Sequence, residues 1–211
     1  MEFIDENDNL ETLKKELDEL DQYAVEIGVF AEDDSFYAMI ATVHEFGMNI
    51  KPKKGKNLAI PVHPAAIDKS PSDFGDSLKP LFTRKNGVPE VYGLGKEDGK
   101  DIEMYFLLKE SINIPERSFL RAAFDEKNDD WMDFLVELIE KVCNLEIKAK
   151  TVFERLGARI AGDIQKKMAD IRSPKNAALT VANKGSSNPL IDTEQLRRHV
   201  TWKVVSDNAD I

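Results

Sequence analysis

Residues 131–168 read WMDFLVELIEKVCNLEIKAKTVFERLGARIAGDIQKKM, and this stretch decides the architecture. Trp131, Leu135, Leu138, Val142 and Leu145 recur at intervals of three and four, and Val152, Leu156, Ile160, Ile164 and Met168 at intervals of four. Such spacing gathers each set on one face of a 3.6-residue helix, so two long amphipathic helices follow one another in the chain. Thr151 and Glu154 stand at capping-box spacing, where the threonine oxygen accepts from the third helical N–H and the glutamate reaches back; the second helix is predicted to start there. It must stop before Pro174, because the residue preceding a proline is pushed out of the helical region. The expected spans are 126–143 and 151–172. Gly157 and Gly162 fall inside the second helix, where each costs about 1 kcal/mol relative to alanine, so both predict close packing against a neighbour. Cys143, on the first stripe, reads as a small buried hydrophobe rather than a nucleophile, since no partner base can be assigned to it. Asp129, Asp130 and Asp133 read as acids at a helix start, complementing its positive end.

Upstream, Leu10, Leu13, Leu17 and Leu20 mark a short helix with a narrow apolar stripe. YAVEIGVF (Tyr23–Phe30) then alternates Val25, Ile27 and Val29 with Glu26 and Gly28, as a half-buried strand does. Ser35 is a candidate N-cap for a helix carrying Met39, Ile40, Val43 and Phe46, stopped by Gly47 at a left-handed cap. Seven prolines, Pro52, Pro61, Pro64, Pro71, Pro80, Pro89 and Pro115, exclude long helix from 48 to 115. Strand candidates there are 57–62, 88–94 and 103–110. Downstream of the long helices come a loop, ANKGSSNP (Ala182–Pro189), a short helix capped by Asp192 or Thr193, and a final strand, Val200–Val205, with Trp202 as a large apolar contact. The expected fold class is therefore α+β: a small antiparallel or mixed sheet from 24–30, 200–205 and parts of the insertion, with two long helices on one face. The expected domain division is a core of 1–47 plus 114–211 and an inserted β-rich arm of 48–113.

Composition excludes several classes. The 211 residues carry 29 Lys plus Arg against 39 Asp plus Glu, a net charge of −10, and a single cysteine, so neither a disulfide scaffold nor a structural zinc module is available. No apolar run approaches a membrane span, and the acidic start MEFIDENDN is unlike a signal peptide, so a soluble, unexported protein is expected. Acids crowd residues 1–36, thirteen against two bases, whereas 146–211 hold twelve bases against eight acids; that excess reads as a solvated helix face. His44-Glu45 invites comparison with the HExxH zinc helix, but Met48 stands where the second histidine belongs, and His63 and His199 are isolated in sequence. Gly93-Leu-Gly95 fails the spacing of a nucleotide loop. No catalytic, metal or cofactor site is expected.

Five strings stand in one order: VEIGVF (Val25–Phe30); Ala41 with His44, Glu45, Phe46 and Gly47; IPERSFLRAAFDE (Ile114–Glu126); ERLGARIAGDIQKKM (Glu154–Met168); and ANKGSSNPLIDTEQLRRHVTWKV (Ala182–Val204). In that order they resemble the tail-component proteins of tailed bacteriophages and prophages, those of tail completion and head–tail joining. The resemblance covers 24–47 and 114–205, with 48–113 as a long insertion. Beyond His44, Glu45, Phe46 and Gly47 it rests on Pro115, Arg117, Phe119, Leu120, Gly157, Lys184, Gly185, Pro189, Leu190, Asp192 and Thr193. Ser118, Glu194 and His199 depart from it, standing where the family has proline, glycine and serine. Physically the matched residues read as fold-keeping. Pro115 fixes φ at the turn into a helix, the Arg117 fork suits a carboxylate or carbonyl, and Phe119 and Leu120 seed a core. Pro189, Leu190 and Ile191 would wedge the last loop against the helices.

The resemblance implies a non-enzymatic virion morphogenesis protein without cofactors, forming a ring of six copies at the head-proximal end of the tail. Its implied partners are further copies of itself and the tail tube or head–tail connector proteins, with no specific nucleic acid and no membrane. The implied location is the virion, after assembly in the host cytoplasm. The composition change and short strands of 48–113 suggest, separately, that the ring forms on docking, with this arm reaching a neighbouring subunit or the tail tube. Two readings from other classes stand beside it: a prophage hydrolase using His44 and Glu45, and a nucleic-acid-binding module using the basic C-terminal region.

Overall fold

The computed structural model describes residues 6–85, 88–98, 101–175 and 194–206. Along the chain run α1 (Glu6–Leu20), β1 (Tyr23–Gly28), α2 (Ser35–Phe46), β2 (Met48–Ile50), β3 (Leu58–Pro61), β4 (Lys79–Lys85), β5 (Val88–Asp98), β6 (Asp101–Lys109), β7 (Ile112–Ile114), α3 (Leu120–Cys143), α4 (Ala149–Asp170), α5 (Gln195–Arg198) and β8 (Thr201–Ser206). Short 3₁₀ turns at Pro64–Ala66 and Pro71–Ser77 lie between β3 and β4. The fold is α+β, with small antiparallel sheets beside helices.

The chain divides into two compact units. The first comprises the described residues of Met1–Phe46, Glu116–Lys175 and Asn188–Ile211. Its sheet is a single antiparallel pair, β1 with β8, in a register that sets Val25 opposite Val204 and Ile27 opposite Trp202. α4 packs against both strands and against α3. Val152, Leu156, Ile160, Ile164 and Met168 are all buried, with Ala149, Gly157 and Ala161 filling the adjoining positions of the same face. They meet Phe119, Trp131, Leu138 and Val142 in one core, and each large side chain so buried contributes about 1.5–3 kcal/mol.

The second unit is built from Gly47–Pro115. Its four-stranded sheet has the order β3-β6-β5-β4, all antiparallel, and β2 pairs separately with β7. Among the described residues, the expected sheet sharing strands between the insertion and 24–30 does not form. The insertion's strands follow one another through short connections and pair with their neighbours instead. A small core of Ala66, Tyr105 and Phe106 holds this unit. On β5, a Cβ at Gly95 would stand 2.7 Å from the Glu103 carbonyl, so the strand crossing there admits only glycine.

Several local expectations are corrected. α3 starts at Leu120 and α4 at Ala149, so Thr151 lies inside its helix and the Thr151–Glu154 capping box does not operate. Asp129, Asp130 and Asp133 therefore sit in mid-helix rather than at a helix start. The α2 cap is Asp34, whose Oδ1 accepts from the Phe36 and Tyr37 N–H groups at 2.9 and 3.1 Å, and Ser35 is the first helical residue. Leu145 lies past the end of α3 with φ +58°, where Glu146 N–H bonds the Lys141 carbonyl and Leu145 N–H that of Val142, a Schellman closure made without glycine. Cys143 is exposed, because it stands one position, about 100° around the helix, from the fully buried Val142 and so lies off the buried face. At Gly162 a Cβ would meet nothing within 4 Å, so no neighbour presses on it.

Candidate functional site

The N-terminal turn of a helix leaves N–H groups without acceptors, and at α3 the acceptor comes from far away in sequence. Glu45, in the last turn of α2, is buried, its side chain only 4% exposed. Its Oε2 accepts from Phe119 N–H at 2.8 Å and Leu120 N–H at 3.0 Å. Its Oε1 accepts from the Ser118 hydroxyl at 2.7 Å, Arg121 N–H at 3.1 Å and Arg121 Nε at 3.0 Å. Five donors thus surround one carboxylate, which also meets the positive end of the helix dipole. Arg121 continues the clasp: Nη2 donates to the Glu45 carbonyl at 2.6 Å and to Glu116 at 2.8 Å, and the guanidinium lies over the Phe46 ring at 4.8 Å. One step earlier Arg117 N–H donates to the His44 carbonyl at 2.7 Å, and its side chain donates to the Pro174 and Lys175 carbonyls at 2.8 and 3.4 Å.

Burial is the largest single influence on the Glu45 carboxyl and pushes its pKa up. The hydrogen bonds from Ser118 and from the N–H groups of Leu120, Phe119 and Arg121 together outweigh it, so Glu45 is held below the ordinary carboxylate value. A carboxylate whose lone pairs are filled by five donors and whose basicity is lowered is poorly suited to take a proton from a substrate.

A second knot joins three other stretches. A Cβ built on Gly157 of α4 would lie 2.3 Å from Trp202 Cδ1 and 2.9 Å from Val25 Cγ2, so glycine is what lets α4 approach the β1–β8 pair this closely. The start of α4 repeats the logic of Glu45: Glu16 of α1, itself buried, accepts from Ala149 N–H at 2.7 Å. Glu194 holds φ +61° at the head of α5, paired with Arg197 at 3.0 Å, and so, rather than Asp192 or Thr193, it occupies the N-cap position. His199 ends α5, donating from Nδ1 to the Gln195 carbonyl at 2.7 Å and stacking on Tyr37 at 4.1 Å. In the second unit, His63 Nδ1 accepts from Ala65 N–H at 3.1 Å and the ring stacks on Tyr105.

The structure therefore brings together His44, Glu45, Phe46, Arg117, Phe119 and Leu120, with Phe119 fully buried. Gly157 belongs to the Val25–Trp202 contact, and Gly47 takes φ +69° at the end of α2. Pro115 follows β7 directly. Lys184, Gly185, Pro189, Leu190, Asp192 and Thr193 lie outside the described residues. Sequence reasoning missed Arg121 and Glu16, whose partners are 76 and 133 residues away, and an exposed row on α3, Phe124, Met132 and Val136. The row's signal was its spacing of eight and four residues, which keeps the three on one helix face beside the buried stripe. Among the described residues no group of three or more His, Cys, Asp or Glu could hold a metal, and no helix is long and apolar enough to cross a membrane. Comparison of the chain with profiles of known protein families, with curated proteins and with solved structures finds none that matches it.

Proposed function

We propose that this chain is a non-enzymatic structural subunit of a tailed-phage neck or tail, acting in tail completion or head–tail joining as a ring at the head-proximal end of the tail. The observation that carries the reading is that resembling strings far apart in sequence meet in the folded chain, Ser118 doing so although it departs from the family. Glu45 of the second string is bonded to Ser118–Arg121 of the third, and Gly157 of the fourth touches Val25 of the first and Trp202 of the fifth. The five strings, spread over 180 residues, thus meet in two groups, the second with the third and the fourth with the first and fifth, which supports reading them as fold-keeping segments. The departure at Glu194 fits as well, since its left-handed backbone is one that glycine adopts without strain. An acidic chain of net charge −10 suits the wall of a channel through which DNA slides without sticking.

The test is to separate purified particles of the encoding phage into heads and tails and probe each with antibody against this chain. The protein is expected in the tail or neck fraction at about six copies per particle; its absence from particles would rule out a ring subunit.

A further inference from the structure

We propose that one copy of this chain holds the next by laying its β4 strand on an apolar ledge formed by α3 and the free edge of β1. The inference rests on the reading of the chain as a self-assembling subunit and adds where the copies meet. Among the described residues β1 pairs with β8 alone, so its other edge carries no strand, and a two-stranded sheet is marginal by itself. α4 packs against both strands, and α3 packs beside α4. The outcome is a groove of about 430 Å³ between Val25 and Ile27 on one side and Phe124 and Met132 on the other, floored by Leu156 and Ile160. Phe124 is 56% exposed and Met132 45%. A strand added to β1 would run along this groove and set alternate side chains on α3, the arrangement of strand addition at a sheet edge.

The occupant must be an edge strand with a large apolar side chain to spare, and β4 meets both conditions. It is the outer strand of the order β3-β6-β5-β4, and its Phe82 is 61% exposed. Two β1 edges cannot serve one another. Antiparallel pairing about a two-fold perpendicular to the sheet sets both α4 helices on one face, where the place beneath the incoming strand is already taken by α3. Charge favours β4 too. Residues 47–115 hold eleven bases against nine acids, a balance of +2, and the rest of the chain carries −12. The β4 sequence KPLFTRK is basic, and α3 exposes Asp125, Asp129 and Asp133. A contact of this kind uses different surfaces on the two copies, the head-to-tail type that builds rings when its rotation closes.

The experiment uses two full-length chains with one cysteine each: Phe82→Cys with Cys143→Ser, and Met132→Cys with Cys143→Ser. Both new positions are exposed, so folding is not at risk. Mixed in equal amounts and oxidised, they are expected to form the mixed disulfide dimer about tenfold faster than either like pair, because docking raises the effective thiol concentration. Equal rates for mixed and like pairs overturn the contact. Sedimentation of the wild-type chain separates the two levels of the argument. Larger species together with unselective cross-linking sink this contact and leave assembly to another face; a monomer without preferred cross-linking also sinks this contact and leaves the ring reading to the particle fractionation.

Discussion

Replacing Glu45 by alanine removes the acceptor from the Phe119, Leu120 and Arg121 N–H groups and the Ser118 hydroxyl at one stroke. Loss of a helix cap costs about 1 kcal/mol, a buried donor left unsatisfied about 1–3 kcal/mol, and a broken buried ion pair about 3–5 kcal/mol. These overlap. Phe119 is fully buried, so its N–H has no water to turn to, whereas the Arg121 side chain is 51% exposed and recovers part of its solvation. The net loss is therefore about 3–5 kcal/mol, a large share of the roughly 5–15 kcal/mol that holds a domain folded. Glu45→Gln keeps the shape but faces an amide N–H₂ towards donors, and should cost about 2–3 kcal/mol. Glu116→Gln, which alters only the exposed partner of Arg121, should stay within about 0.5 kcal/mol. Urea unfolding followed by far-UV circular dichroism reads the helical unit directly. A cost for Glu45→Ala below about 1 kcal/mol, no larger than that of the Glu116 control, would refute the clasp as the support of α3.

The same carboxylate predicts a pH dependence. Its pKa in the folded chain lies below the ordinary value, so its stabilisation is complete above the unfolded-state pKa and is lost as pH falls through the lower folded one. The wild type should therefore lose more stability than Glu45→Gln on acidification below the ordinary carboxylate range; parallel curves would contradict this. At the two helical glycines the signs should differ. Gly157→Ala drives a methyl into Trp202 and should cost about 1–3 kcal/mol, while Gly162→Ala meets open space and should gain about 0.5–1 kcal/mol; denaturation midpoints of the two variants decide it. Because Glu194 holds a left-handed backbone, Glu194→Gly should be more stable than Glu194→Ala by about 1 kcal/mol, and equal stability of the pair would count against that conformation.

The long helices were legible because their burial repeats every three to four residues over more than five turns. Their starting points were not, since the groups that set them, Glu45 for α3 and Glu16 for α4, reach across 74 and 133 residues, and local capping rules see only the next turn. The Thr151–Glu154 spacing satisfied such a rule without being used. β4 escaped notice because KPLFTRK shows little alternation and carries Pro80, which an edge strand tolerates. β2 and β7 have three residues each, too few to show a period. Of the two helical glycines, the distinction lies in what stands opposite, Trp202 for one and open space for the other, and only the packed chain reveals it. In the candidate site the HEFG and IPERSFLR strings were visible as unusual residues, but the bonds between them were not, because contact between distant segments follows from the fold rather than from spacing.

The central claim, a subunit that completes or joins phage tails, is tested most directly by electron microscopy of an induced lysate from which this gene is deleted, beside the same lysate complemented with the intact gene. The account predicts filled heads and separate or aberrantly long tails in the first and joined particles in the second. Normally joined, infectious particles without the gene would contradict it.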